Sequence, residues 1–413
     1  MENDTEPAPK RHKGQIDSER TPRPARSRQG IGFPTTASPA FALPTQSESQ
    51  STHSQASGRS SPSKQLAALE IDPNGFDSRA LTLSDARLPP SLYQILMDLN
   101  DVKASALNLI SSDWQQEITK RAEDEPQLRT IRPHMFASTA RDKFGPTMSP
   151  EDALNLVEEA TDCQSQKQNE AGWNMMVHYP LLSKAIYGSR KRLDQFMGVA
   201  PCTTGKIIRE YLPAATQAKM VDFCIYLDPK NDPAALKATE NARSILPCGY
   251  LNHTDCHSLR KRPIALSIET KSSESTSAGS AELQIGTWHG AQWRFLEDLV
   301  TRNGGSLDEL PFLPAIVVQG HDWSLAATTR EGQRTILWLP SKFASTEDVV
   351  GVYKVALGVQ QLCRWVDDVY WPWYKKNALV DDLAADLYPF QVLDPDRIHR
   401  KSNARPTPEK PDL

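Results

Sequence analysis

Glu269 and Lys271 stand one residue apart at the end of an apolar run, Pro263-Ile264-Ala265-Leu266-Ser267-Ile268. A short run rich in isoleucine and leucine predicts a buried strand, and on a strand residues i and i+2 point to the same face. A carboxylate and an ammonium therefore project side by side from an element that is otherwise core. Burying either charge alone is expensive. The pair is either a salt bridge or a metal ligand beside a group that holds water. A second apolar run, Lys219–Leu227, contains one acid, Asp222, where strand propensity and burial both disfavour it. On neighbouring strands, Asp222 and Glu269 can share one hard cation such as Mg²⁺, which takes one or two carboxylates and keeps several waters. Lys271 then stands beside the coordinated water, and the chemistry is metal-assisted hydrolysis of a phosphodiester.

Asp222 followed by Glu269-Thr270-Lys271 resembles the PD-(D/E)XK nuclease signature, an acid on one strand and E-x-K at the end of the next. More narrowly, the chain resembles the PD-(D/E)XK nuclease-like proteins of filamentous fungi. The stretches that carry the likeness are Asn169-Glu170-Ala171-Gly172-Trp173-Asn174, Lys219-Met220-Val221-Asp222, Asn252-His253-Thr254, Pro263–Lys271 and Gly320-His321-Asp322-Trp323. They place a nuclease-like domain over residues 85–390. The resemblance implies an α/β fold of restriction-endonuclease type, a mixed central sheet flanked by helices. It implies hydrolysis of nucleic acid, DNA foremost, with Mg²⁺ or Mn²⁺ held by Asp222 and Glu269 and with the Thr270 carbonyl as a third ligand. Lys271 orients or activates the water and stabilises developing charge.

Glu170 matches the family's glutamate on the helix before the sheet and completes the site. Gln284, with Trp288 four residues on, resembles the glutamine–aromatic pair of RecB-type members, which implies a reach back to the metal site or the nucleic-acid backbone; from the residues alone it reads equally as a surface glutamine on a good helix. Val221 stands where the superfamily carries proline, and the interval from Asp222 to Glu269 implies an insertion between the strands. Two other readings remain: a nuclease fold kept for binding nucleic acid or protein, and a structural ion pair in an unrelated α/β protein.

The elements that position these residues are legible from periodicity and capping. Apolar spacing predicts helices from Pro90 and from Trp114. Ser149-Pro150 is a helix start, with serine as N-cap and proline at the first helical position. A helix from about Asn169, kinked at Pro180, puts Glu170, Trp173 and Val177 on one face. Further helices are expected over Ala234–Ile245, Ala281–Arg302 and Thr346–Val369. Pro314 to Ala327 reads as one long strand or as two with a break at Gly320, and the chain returns through Thr335–Leu339. His321 and Asp322 read as strand-edge or structural residues, and His253 as an ordinary loop residue or else a phosphate or metal-water contact. Cys248, His253, Cys256 and His257 do not form a familiar zinc spacing. Arg260, Lys261 and Arg262 read as a solvated run that also suits a phosphate backbone.

Residues 1–66, rich in Ser, Thr, Pro, Gln and Gly, bury too little to offset chain entropy and are expected to be a disordered tail. Within them Lys10, Arg11, Lys13, Arg20, Arg23, Arg26 and Arg28 form a basic cluster, read either as a nuclear-localisation or nucleic-acid patch or as a functionless tail. Residues 398–413 read as a polar tail. A net charge of −4 gives no overall nucleic-acid signal, so any such surface is local. Six scattered cysteines without a CxxC pair indicate a reducing compartment. The absence of an N-terminal apolar segment and of a run of about eighteen apolar residues makes an intracellular location, nucleus or cytoplasm, the expectation, with no membrane partner.

Overall fold

The computed structural model describes residues 61–212, 219–275 and 278–379. In chain order these form α1 (Pro62–Ile71), β1 (Phe76–Ala80), α2 (Pro90–Ser105), β2 (Ile110–Ser111), α3 (Gln115–Arg121), β3 (Phe136–Ala137), α4 (Thr139–Asp142), α5 (Pro150–Ser165), α6 (Glu170–Trp173) and α7 (Tyr179–Tyr187). There follow β4 (Met197–Pro201), β5 (Phe223–Leu227), α8 (Pro233–Ile245), β6 (Ile264–Lys271), α9 (Ala278–Arg302), β7 (Leu313–Gln319), β8 (Asp322–Glu331), β9 (Arg334–Ser345), α10 (Val349–Trp365) and α11 (Trp371–Ala378). Seven strands make one sheet in the order β1-β9-β8-β7-β6-β5-β4, while β2 and β3 pair separately. The pairs β1–β9 and β6–β7 are parallel and the other neighbours antiparallel, the mixed sheet with helical flanks that the sequence predicts.

β6 is central and buried at every position from Ile264 to Thr270. Because alternate residues face opposite sides, both faces of the sheet are covered there. A parallel β6–β7 pair needs a long crossover, and α9 supplies it. Trp288 of α9 donates its indole N–H to the Ser267 hydroxyl at 3.0 Å, and Gln292 donates to the Ile264 carbonyl at 3.0 Å, pinning the helix to the strand that carries the E-x-K. Ser149 accepts from the Asp152 N–H at 3.1 Å and caps α5. Ala160 and Cys163 of α5 pack with Trp173 and Val177 in a small cluster of their own, which holds the helix bearing Glu170.

That helix does not kink as a simple proline break. Between α6 and α7, Asn174–His178 forms a π turn. Pro180 lacks the N–H that an α-helical register would direct at Met176, which favours the wider turn. The same device recurs at Val366–Tyr370, ahead of Pro372.

The N-terminal boundary differs from expectation. The final residues of the expected 1–66 tail lie in α1, whose N-cap Ser61 accepts from the Lys64 N–H. β1, before residue 85, is an integral edge strand, paired in register Phe76↔Thr335 to Ala80↔Leu339. Residues 1–60, with the basic cluster, and 380–413, with the C-terminal tail and the end of the expected domain, lie outside the described residues.

Gly286 of α9 sits over Phe76, and a Cβ there would come within 2.4–2.7 Å of its ring. Gly286→Ala is therefore expected to lower stability by about 1–3 kcal/mol through overpacking, although alanine is the better helix former. A urea midpoint equal to that of the wild type would refute this.

Candidate active site

β5 and β6 bring the first residues together. Their register sets Phe223 opposite Ile268, and the Asp222 N–H donates to the Ile268 carbonyl at 3.1 Å. Asp222 thus precedes β5 by one residue and lies beside the C-terminal end of β6. Its Oδ2 accepts from both the backbone N–H (2.8 Å) and the hydroxyl (2.9 Å) of Thr270. Two donors fill the lone pairs of that oxygen. The other oxygen, Oδ1, lies 3.3 Å from Asn174 Nδ2.

Glu269 is the buried charge of the site, its side chain 1% exposed. Burial raises its pKa well above the ordinary glutamate value; the Asp222 carboxylate adds to this and Lys271 opposes it. One oxygen, Oε1, accepts from the Lys271 ammonium, while Oε2 is buried with no partner. Lys271 also donates to the Thr270 carbonyl at 2.8 Å and to Glu170 Oε2 at 3.2 Å, which uses the three donors of an ammonium. Burial works to lower its pKa, but Glu269 and Glu170 together hold it raised. Glu170, half-buried at the first turn of α6, has its pKa raised by desolvation and by Asp222, against the pull of Lys271. Among the described residues, no three His, Cys, Asp or Glu side chains are arranged to hold a metal ion; the ammonium of Lys271 links Glu269 to Glu170 instead.

The structure thus joins Glu170, Glu269, Thr270 and Lys271 through the lysine, and Asp222 through Thr270. Gln284 stands one step away. Its Nε2 donates to the Met220 carbonyl at 3.2 Å and its Oε1 accepts from Ser280 at 3.1 Å, so it braces the segment that enters Asp222 rather than touching the acids. His253 is fully buried, edge-on to Trp288 with ring centroids 4.3 Å apart, and neither nitrogen has a partner; it is a core imidazole, not a phosphate contact. In the basic run, Arg262 pairs with Asp228 at 2.9 Å and Lys261 with Glu240 at 2.6 Å, so two of its three charges are already partnered. His321 bonds Thr346 at 3.1 Å and Asp322 pairs with Lys342 at 2.6 Å, both as turn and edge residues.

Two residues escaped the sequence reading as site members. Asn174 contacts Asp222, and His178, fully buried, lies 3.0 Å from Asn174 Oδ1 through Nδ1 and 3.0 Å from the Gly320 carbonyl through Nε2. The available signal was two polar residues four apart in a segment with Trp173 and Val177.

An E-x-K at the end of a buried strand, an acid on the antiparallel neighbour and a glutamate on the preceding helix now have a common location. No curated protein and no solved structure matched the chain. The family model of the PD-(D/E)XK nuclease superfamily matches residues 117–371, a span that takes in every residue of this site and more than half of the sequence: the chain belongs to the PD-(D/E)XK nuclease superfamily.

Proposed function

We propose that this chain hydrolyses phosphodiester bonds in nucleic acid, with DNA as the substrate and Mg²⁺ or Mn²⁺ as the cofactor, at the centre formed by Asp222, Glu269 and Lys271. The observation that carries this reading is the Glu269 carboxylate, buried with one oxygen unpartnered, at a strand end it shares with Lys271 and next to Asp222. A buried acceptor without a donor calls for an explanation, and a cation supplies one. Glu269 Oε2, Asp222 Oδ1 and the Thr270 carbonyl are hard oxygen donors of the kind Mg²⁺ takes. When bound, the ion contributes Lewis acidity toward the phosphate and a water of lowered pKa.

Thr270 holds Asp222 in a fixed orientation through its N–H and hydroxyl. Lys271, kept protonated by its two carboxylate neighbours, offsets charge that develops on the phosphate, and the donor it gives the Thr270 carbonyl would be freed for the attacking water where a cation takes that oxygen. Glu170 anchors the ammonium from the open side. Gln284 fixes the approach of the Asp222 segment through Met220. The scattered cysteines without a CxxC pair suit a site inside the cell, in nucleus or cytoplasm. Among the described residues no helix is long and apolar enough to cross a membrane.

One observation favours a second reading. The ammonium of Lys271 has all its donors satisfied within the protein, so the ion-pair network closes without a metal, as suits a nuclease fold retained for binding nucleic acid or protein. A single assay separates the two: cleavage of DNA in Mg²⁺, Mn²⁺ or EDTA by wild type and Asp222→Ala, alongside thermal unfolding in each buffer. Hydrolysis that needs the metal and vanishes in Asp222→Ala is the expected result, with metal stabilisation lost in the same variant. Cleavage that persists in Asp222→Ala sinks the assignment. Metal stabilisation without cleavage favours the binding module, and no metal effect on either protein leaves a structural ion pair.

A further inference from the structure

We propose that Asn174 supplies a further oxygen to the cation site, beside Asp222, and that His178 positions it. The inference rests on the metal-dependent reading above and names two residues that this reading does not use.

The argument is one of hydrogen-bond polarity along a chain of four groups. The Gly320 carbonyl only accepts. His178 Nε2, 3.0 Å from it, therefore carries a proton. A fully buried ring bonded to no carboxylate stays neutral, so this is the one proton of the imidazole. A ring with its proton on Nε2 presents a lone pair at Nδ1, and Nδ1 lies 3.0 Å from one end of the Asn174 amide. The two ends of an amide are nearly the same in shape, and their assignment follows from the network. A lone pair at Nδ1 takes the amide N–H. The amide oxygen is then turned toward Asp222 Oδ1, at the 3.3 Å end of the side chain.

Two oxygens now face each other with no donor between them. Asp222 cannot turn away to relieve this, because Thr270 holds its other oxygen with two bonds. Nor can His178 swing: it is fully buried, stacked on Trp173 at 5.6 Å and edge-on to Trp323 at 5.7 Å. Gly320 is fixed as well. It takes φ +53° in the β7–β8 turn, its N–H donates to the Lys271 carbonyl at 2.9 Å, and a Cβ there would meet Ser273. An obligatory acceptor at one end of the chain thus dictates an acceptor at the other. A carbonyl oxygen next to a carboxylate, unbridged, is a place for a hard cation or its water. The π turn serves this geometry: Asn174 and His178 are its first and last residues, and such turns recur at functional sites. His178 acts through Asn174 and is a positioning residue.

The test measures Mn²⁺ binding directly, by calorimetry with the metal alone, on full-length wild type, Asn174→Ala, Asn174→Asp, His178→Phe and the double variant Asn174→Ala/His178→Phe. Thermal unfolding confirms that each is folded. Asn174→Ala is expected to bind Mn²⁺ about 10–100-fold more weakly, the usual loss for a group that supports a metal site. Asn174→Asp, which restores an oxygen, is expected to recover affinity. His178→Phe keeps an aromatic ring in the packed slot and is expected to lose affinity too, with no further loss in the double variant, because the two act as one unit. Wild-type affinity in Asn174→Ala, or Asn174→Asp no better than Asn174→Ala, overturns the inference while leaving the proposed function intact. Additive losses in the double variant overturn the role of His178. No Mn²⁺ binding by the wild type overturns the proposed function, and this inference with it.

Discussion

Lys271→Met is expected to abolish most hydrolysis while tightening the grip on metal. The ammonium is bonded to the Thr270 carbonyl, one of the oxygens that a cation would use, and to Oε1 of the Glu269 carboxylate whose other oxygen a cation would take, so lysine and metal compete there. Removing the lysine ends that competition. It also leaves Glu269 buried without its counter-charge, and the loss of one partner of a buried pair costs roughly 3–5 kcal/mol when the charge has no escape. Glu269 has a partial escape, since burial already favours its protonated form. In EDTA the variant is thus expected to melt well below wild type, and Mg²⁺ or Mn²⁺ to recover more stability in it than in wild type. Turnover moves the other way, falling by about 10²–10⁴-fold, the usual contribution of a positioned acid–base group. The measurements are melting temperatures against metal concentration and single-turnover cleavage of DNA. A variant that cleaves at the wild-type rate removes Lys271 from the chemistry. One that cleaves poorly and also binds metal more weakly shows that the lysine organises the acids rather than competing for them.

Acid is expected to unfold this protein early, for reasons that lie in its core. His178 has its pKa lowered to about 4 and His289 to about 3, both by burial, and His253 is held well below the ordinary value by burial and by the nearby His289. The Gly320 bond offsets burial at His178 only in part, and the other two have less relief: His289 bonds Thr328 through one nitrogen only, and His253 through neither. In the unfolded chain these rings take up protons near pH 6.5. Between that pH and the folded values the unfolded state binds more protons, so stability rises with pH across the window. The contribution is complete above about pH 6.5 and is lost as pH falls toward 4. Each unit is worth about 1.4 kcal/mol, so each imidazole withdraws roughly 2 kcal/mol between pH 6.5 and 5. Three of them remove much of the 5–15 kcal/mol that holds a typical domain. Urea midpoints at pH 7.5, 6.5, 5.5 and 5 are expected to fall steeply below 6.5, and His289→Leu to flatten the fall. Midpoints that stay level from 7.5 to 5 would rule out the buried histidines as the cause.

The strand that ends in Glu269-Thr270-Lys271 was legible because its information is local. Pro263–Ile268 is apolar without interruption, and the charges that end it differ by two positions, so strand, burial and shared face all follow from adjacent residues. The same holds for the Ser149-Pro150 cap of α5 and the break at Gly320. Asp222 was legible as an anomaly, an acid in an apolar run. Other features depend on residues far apart in sequence. Phe76-Asp77-Ser78-Arg79-Ala80 has no strand-like run; it becomes one because β9 offers an open edge, and Asp77 finds Arg334 at 2.6 Å there. Asn174 and His178 look like ordinary helix residues until the π turn brings one to Asp222 and the other to Gly320. Gln284 was placed on the correct helix, but its reach is decided by Met220, which the pattern of α9 does not encode. The choice between the two readings of His253 was not legible, because proximity in sequence to the Glu269–Lys271 strand said nothing of which side its ring takes, and Trp288 claims it.

The pairing of β1 with β9 has a consequence for the order of assembly. Phe76 meets Thr335, so among the described strands the first to be synthesised waits for the last. At about 5–20 residues per second the ribosome needs roughly 10–50 s to make the intervening chain, and through that interval β1 has no partner in its sheet. Contacts of such long sequence separation form slowly even when the whole chain is present. The β4–β5 hairpin and the β6–α9–β7 unit, including the strand end that bears Glu269 and Lys271, can be complete before the edge closes.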